Sequence, residues 1–449
     1  MRSGLTRRLA VTGLAAAMTL LALTPVTATA APAAAESPAV SEFIVKFRDG
    51  VAARDALVAQ KLRVVGEVSV GAVLVKADQR LDTKASNAVL NSLKARGDVM
   101  FAEPNGVLQA DLTPNDPMYP QQWHYFEALA GARVDTAWDS GFTGSGVRVA
   151  VIDTGRTSHT ELNANYLGGY DMITNAAAAR DGNGRDNNPQ DQGDWQAAGE
   201  CGVGTPARNS SWHGTHVSGT VAALRNNAVG VSGVAPAARI VPVRVLGRCG
   251  GTFADIIDGI TWASGGVVAG VPNNPNPARV LNMSLGGSGA CPAALQAAIN
   301  GAISRGSSVV VSAGNSNLNA STATPANCAG VITVAASDRQ GNRAVYSNFG
   351  ATVEITAPGG ETSPTVANGV LSTLNAGTTV PGAQSYAFYQ GTSMAAPHIS
   401  GVAALMLHKN PGLTPALLAS RLRARAMPGS CVGGCGIGLV DARASVAAA

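Results

Sequence analysis

From Val147 onward, short runs dominated by β-branched and aliphatic residues alternate with longer stretches in which apolar positions recur every three or four residues. The first pattern suits strands buried on both faces, the second helices with one buried face. It predicts strands at Val147–Ile152, Arg239–Val245, Val280–Met283, Val309–Ser312 and Val331–Ala335. Helices are predicted at Val217–Leu224, Phe253–Ser264 and Ala293–Ile303, then at Ser393–Lys409 and Thr414–Ala426. Alternation of this kind gives an α/β fold: a three-layer, mostly parallel sheet with helices on both faces. No appended domain is expected beyond Asp441.

Upstream the pattern changes. Glu42–Phe47, Val68–Val75 and Val99–Asn105 read as strands, with helices over Ala52–Leu62 and about Lys84–Arg96, which is a small α+β domain. Ahead of it, Arg2, Arg7 and Arg8 precede an apolar stretch from Leu9 to Leu23, and Ala28-Thr29-Ala30 offers a small-residue cleavage site. That is the form of a secretory signal peptide over residues 1–30. No later stretch has the roughly 18 apolar residues of a spanning helix, so a secreted product with no membrane partner is expected.

Composition narrows the classes further. At 449 residues with 46% apolar positions the chain supports a large core, and a net charge of +4 with no basic run among aromatics argues against nucleic acid. Six cysteines in an exported chain read as disulfides. Fifteen pairings are possible; proximity along the probable loops favours Cys201 with Cys249, Cys291 with Cys328 and Cys431 with Cys435.

Three segments carry chemistry. Gly391-Thr392-Ser393-Met394-Ala395-Ala396-Pro397-His398 delivers a serine to the start of an apolar helix, where unpaired N–H groups favour a developing negative charge. A serine there also caps helices in many proteins. Val151-Ile152-Asp153-Thr154-Gly155 ends a buried strand on a carboxylate, and His213-Gly214-Thr215-His216-Val217 opens another helix. Other chemistries fit less well. Asp139 and Asp153 lie too close in sequence to occupy two symmetric aspartic-protease lobes. His213 and His216 lack the i, i+4 spacing and the glutamate of a metalloprotease helix. The lipase order runs serine, acid, histidine, whereas in this chain the serine comes last.

On those three motifs the chain resembles the subtilisin-like serine proteases, in which the triad runs aspartate, histidine, serine. The resemblance extends from about Pro114 to the C-terminus and implies a serine endopeptidase. Ser393 would be the nucleophile, His213 the general base, and Asp153 the group that orients the imidazole. Val309-Val310-Val311-Ser312-Ala313-Gly314-Asn315 resembles the family's oxyanion segment, which implicates the Asn315 amide with the Ser393 backbone N–H. Ser284, Leu285, Gly286 and Gly287 resemble the strand edge that grips substrate backbone, with Ala313 and Gly314 as the facing wall of the first pocket. Broad specificity, protein or peptide substrates and a monomer are expected. The small α+β domain, taken as residues 31–113, resembles the inhibitory propeptide of these enzymes, leaving 114–449 as the catalytic domain. Its tail at Val107–Ala110 would lie in the cleft until cut.

No cofactor is implied for the chemistry. Asp171, Asp181, Asp186, Asp191 and Asp194 stand among glycines and asparagines, a composition that suits calcium, although the spacing fails the EF-hand pattern. A structural calcium ion and a solvated acidic loop are the two readings of that stretch.

Overall fold

The computed structural model describes residues 40–48, 57–58, 61–106, 113–427 and 434–449. The predicted signal peptide, the tail at Val107–Ala110 and most of the predicted helix from Ala52 lie outside these residues. By internal contacts the chain divides into two compact units, Met1–Gln109 and Ala110–Ala449.

The first unit is a four-stranded antiparallel sheet in the order β2-β3-β1-β4, built from β1 (Glu42–Phe47), β2 (Leu62–Val68), β3 (Ala72–Ala77) and β4 (Val99–Pro104). Helix α1 (Thr83–Lys94) is capped by Asp82, whose carboxylate accepts the Ala85 N–H at 2.7 Å. It places Leu90 and Leu93 against Phe43, Val45, Leu62 and Val75. Two expectations are corrected here. Residues 68–75 are not one strand: Val68 ends β2, residues 69–71 make the hairpin turn with Gly71 at φ +71°, and Ala72 opens β3 opposite Val68. Leu62 begins a strand rather than ending a helix; the bulge between Val64 and Gly66 breaks the period-2 alternation by which that strand would have been read.

The second unit is built on seven parallel strands in the order β11-β10-β9-β8-β5-β7-β6. In chain order its elements are β5 (Arg148–Asp153), β6 (Tyr170–Asp171), α2 (His213–Ala222), β7 (Arg239–Arg244), α3 (Phe253–Ala263), β8 (Val280–Met283), α4 (Ala293–Ser304), β9 (Ser308–Ser312), β10 (Ile332–Ser337) and β11 (Ile355–Pro358). A hairpin of β12 (Val370–Asn375) and β13 (Gln384–Tyr389) follows, then α5 (Thr392–Lys409), α6 (Pro415–Ala424) and α7 (Ala442–Ala448).

Side-chain alternation along the strands divides the interior in two. Val149, Val151, Val280 and Val310 join a core with α2, α5, α6 and α7. Ala150, Ile152, Leu281, Met283, Val309 and Val311 join the other with α3 and α4. This is the expected three-layer α/β architecture. β7 and β6 lie on one side of β5 and β8 to β11 on the other, so the connections leave β5 to opposite sides, and in such sheets the binding crevice opens beyond the carboxyl ends of the strands at that point. The expected helices at 217, 253, 293, 393 and 414 and all five expected strands are present; β11, the β12–β13 hairpin and α7 were not anticipated.

Strand β7 ends on Arg244, a fully buried guanidinium. It hydrogen-bonds to Asp171 and to the Ala179 carbonyl, and lies 3.2 Å from Asp181. Burial pushes the Asp171 carboxyl up to about 7, against the pull of Arg244 beside it. We expect Arg244→Met to lower unfolding stability by about 3–5 kcal/mol, since it leaves a buried carboxyl group unpaired. A urea midpoint equal to that of the parent would remove Arg244 from this role.

Candidate active site

Asp153 closes β5 at the carboxyl end of the central strand and is wholly buried. Its Oδ1 accepts the Thr154 N–H at 2.7 Å. His213 opens α2, and its Nδ1 lies 2.8 Å from Asp153 Oδ1 and 3.0 Å from Oδ2. A carboxylate facing Nδ1 holds the proton on that nitrogen and leaves Nε2 as the acceptor. The helix is brought this close because Gly214 has no side chain: a Cβ there would sit 2.3 Å from the Gly155 carbonyl oxygen. The Gly214 N–H then donates to Thr154 Oγ1 at 3.0 Å, joining strand end to helix start. Burial opposes the imidazolium, but the Asp153 charge and hydrogen bond outweigh it. The His213 pKa is raised above its ordinary value of 6.5, with Asp194 and Asp191 adding to the effect.

Ser393 is the second residue of α5, so its N–H has no acceptor one turn back in the helix. Its hydroxyl donates to the Ser284 carbonyl at 3.2 Å. Among the described residues no hydrogen bond joins it to His213, although both side chains line one cleft of about 800 Å³. Catalytic contacts of this kind are often long before substrate binds.

Asn315 follows β9 and lines the same cleft. Its Oδ1 accepts the Thr392 N–H at 2.9 Å and the Thr392 hydroxyl at 2.8 Å. With the oxygen so anchored, the amide presents Nδ2 as its available donor. Thr392 Oγ1 also accepts the Gly314 N–H at 3.1 Å, so one threonine orients both the amide and the loop that carries it. Sequence reasoning passed over Thr392, whose importance lies in contacts with residues about 77 positions away.

The structure brings Ser284, Leu285, Gly286, Gly287, Ala313 and Gly314 to the cleft together with Asp194, Asn348, Thr324 and Pro325, of which the last three were not anticipated. Gly287 pairs with Thr324 in a short antiparallel ladder. Ser284 to Gly286 therefore form the part of that edge with no ladder partner among the described residues. Gly314 adopts φ +102°, and a Cβ on it would collide with Asn348 Nδ2 at 2.4 Å. Asn348 holds the turn by donating to the Ala313 carbonyl and accepting the Ser316 and Leu318 N–H groups.

Neither of the other histidines in these motifs faces the chemistry. His216 is stacked on Tyr389 at 4.6 Å and bonded to the Ala387 carbonyl; burial lowers its pKa to about 3. His398 is buried against His124 and the Met394 carbonyl.

The five loop aspartates do not converge. Asp171 and Asp181 pair with Arg244. Asp186 caps a turn at Asn188, Asp191 accepts the Gly193 N–H, and Asp194 accepts the Ser211 N–H and hydroxyl. No group of three or more acidic, histidine or cysteine side chains among the described residues is placed to hold a metal ion. Cys201 is bonded to Cys249 and Cys291 to Cys328, as expected. Cys435 is disulfide-bonded, while Cys431 lies outside the described residues. No helix among the described residues is long and apolar enough to cross a membrane.

The subtilase family profile matches residues 144–438. The chain is 54% identical over 391 residues to an extracellular protease of Xanthomonas campestris pv. campestris, a stretch covering 86% of this chain and 66% of that protein. It is 43% identical over 429 residues to an extracellular basic protease of Dichelobacter nodosus, covering 90% and 70%. Subtilisin Savinase of Lederbergia lenta is 36% identical over 318 residues, which are 71% of this chain and 97% of that one. Among solved structures, one of proteases from Pseudoalteromonas arctica superposes with a TM-score of 0.73 at 55% identity, covering 75% of this chain and 99% of that chain.

Two outcomes follow from the geometry. If His213 is the general base expected from the sequence, its imidazole must be neutral to accept a proton, and with its pKa raised kcat/KM should fall as pH drops through a value above 6.5. Asp153→Asn should move that limb to lower pH, and a flat profile from pH 5 to 8 would exclude His213 as base. Asn315→Leu should reduce kcat by about 10²–10³-fold with KM little changed, the magnitude established for such a donor in subtilisin. A loss below threefold would show that the amide does not face the developing charge.

Proposed function

The chain belongs to the subtilase family and is a serine-type endopeptidase, and we propose that its chemistry runs through Ser393, His213, Asp153 and Asn315. The observation that carries this reading is the buried Asp153 carboxylate bonded to His213 Nδ1 at the cleft that Ser393 and Asn315 also line.

The Ser393 hydroxyl swings from the Ser284 carbonyl to His213 Nε2, which takes its proton as Oγ attacks the scissile carbonyl carbon. Asp153 stabilises the resulting imidazolium without being protonated. The carbonyl oxygen becomes an oxyanion held by Asn315 Nδ2 and the Ser393 N–H. His213 returns the proton to the departing amine as the C–N bond breaks. Water then attacks the acyl-enzyme with the same histidine as base, releasing the acid and restoring the serine hydroxyl.

Substrate lies along Ser284–Gly286, whose backbone supplies strand-like pairing that reads side chains weakly. Small walls at Ala313 and Gly314 support broad specificity in the first pocket. The enzyme needs no cofactor for this chemistry. Its relatives named as extracellular proteases, together with the signal-like residues 1–30, support secretion. The compact N-terminal unit supports a self-processed zymogen with an inhibitory propeptide over 31–113 and a catalytic domain over 114–449, acting on proteins or peptides as a monomer.

Ser393→Ala should abolish cleavage of a protein substrate and leave an uncut precursor in the medium. In the parent, a phosphonofluoridate should inactivate the enzyme with label recovered on Ser393. Activity retained by the alanine variant, or label elsewhere, would overturn the assignment.

A further inference from the structure

Pro397 stands inside α5, four residues after Ser393. A regular helix would send the N–H of residue 397 to the carbonyl of residue 393, and proline has none to send. The carbonyl of the nucleophile's own residue is therefore left open in a buried helix. Ser284, just past the end of β8, fills the vacancy: its hydroxyl donates to the Ser393 carbonyl at 2.8 Å.

That hydroxyl is itself held. Ser284 Oγ accepts from Asn282 Nδ2 at 3.0 Å, and Asn282 Oδ1 accepts from Ser400 Oγ at 2.8 Å. Every direction in this chain is determined, because an amide NH₂ only donates, an amide oxygen only accepts, and Ser284 has one proton, used on the carbonyl. The chain begins at Ser400 and ends at Ser393, seven residues apart on the same helix, hence on one face two turns apart. It passes through the centre of the sheet, where Asn282 stands between Val151 and Val310. Asn282 and Ser400 have no exposure at all. A polar amide in so apolar a place is unfavourable unless its bonds are made, and these bonds are made to the helix that carries the serine.

We propose that Asn282 and Ser400 are positioning residues that act through Ser284 as a clasp between β8 and α5, fixing the backbone of Ser393. The clasp sets two things at once: the N–H that faces the oxyanion and the Cα–Cβ direction from which Oγ attacks. Ser284 closes it from both sides, since its carbonyl also receives the resting Ser393 hydroxyl. The inference rests on Ser393 being the nucleophile.

The test compares Ser400→Ala, Ser284→Ala and the double variant with the parent on a peptide amide. Loss of one hydrogen bond's worth of alignment predicts that Ser400→Ala lowers kcat about threefold to tenfold, with KM within twofold. Because Ser400 acts only through the clasp, the double variant should be no slower than Ser284→Ala alone. The acid limb of the pH profile should stay in place, since the clasp does not touch His213. Should Ser400→Ala fail to accumulate, Ser284→Ala severs the clasp from the strand side and must show the same split of kcat from KM. An unchanged kcat, a loss confined to KM, a lower melting temperature with normal turnover, or losses that multiply in the double variant would each overturn the clasp. Failure of the parent to be labelled at Ser393 would instead sink the catalytic reading itself, independently of these results.

Discussion

A carboxylate with no exposure persists in a protein only where hydrogen bonds replace the water it has lost. Asp153 meets that condition through the Thr154 N–H and the His213 ring. The arrangement around it follows from that requirement. α2 must start within reach of the end of β5, so position 214 is a glycine pressed against the Gly155 carbonyl, and Thr154 Oγ1 receives the Gly214 N–H. The same constraint fixes the histidine's tautomer, raises its basicity, and leaves its second nitrogen toward the cleft.

The parallel sheet turns this local pairing into a site. Asp153, Ser284 and Asn315 stand at or just beyond the carboxyl ends of β5, β8 and β9, with β5 next to β8 and β8 next to β9. The Asp153 carboxylate, the 284–286 edge and the Asn315 amide are thus set by strand spacing, while His213 and Ser393 come in on helices packed in the same core. Thr392 and Asn348 then tune the loop after β9, one orienting the amide and the other holding its turn. Rigid elements supply the coordinates and loops only finish them.

How much of this is legible in the chain depends on the range of the contact. The β-branched runs ending at Asp153 and Ser312 announce buried strands because both faces of the sheet are covered. The motif residues are readable because each sits at an element boundary marked by glycine. The β12–β13 hairpin is not, since β13 is only half-buried and carries Gln384, Ser385, Tyr386, Ala387, Phe388 and Tyr389 without a clean alternation. Arg244 reads as the polar end of a strand, yet it is buried by a loop some 70 residues earlier. Ser400 and Asn282 are ordinary polar residues in apolar segments until the 118 positions between them are closed by folding.

Arg244 also changes what the neighbouring loop asks of its surroundings. An acidic turn completed by a dissolved ion is only as ordered as the supply of that ion allows, and it loosens on dilution or in the presence of a competing ligand. Here the positive partner of Asp171 and Asp181 is covalently part of the chain. Its local concentration is set by peptide geometry, and no change in the medium short of unfolding can carry it away.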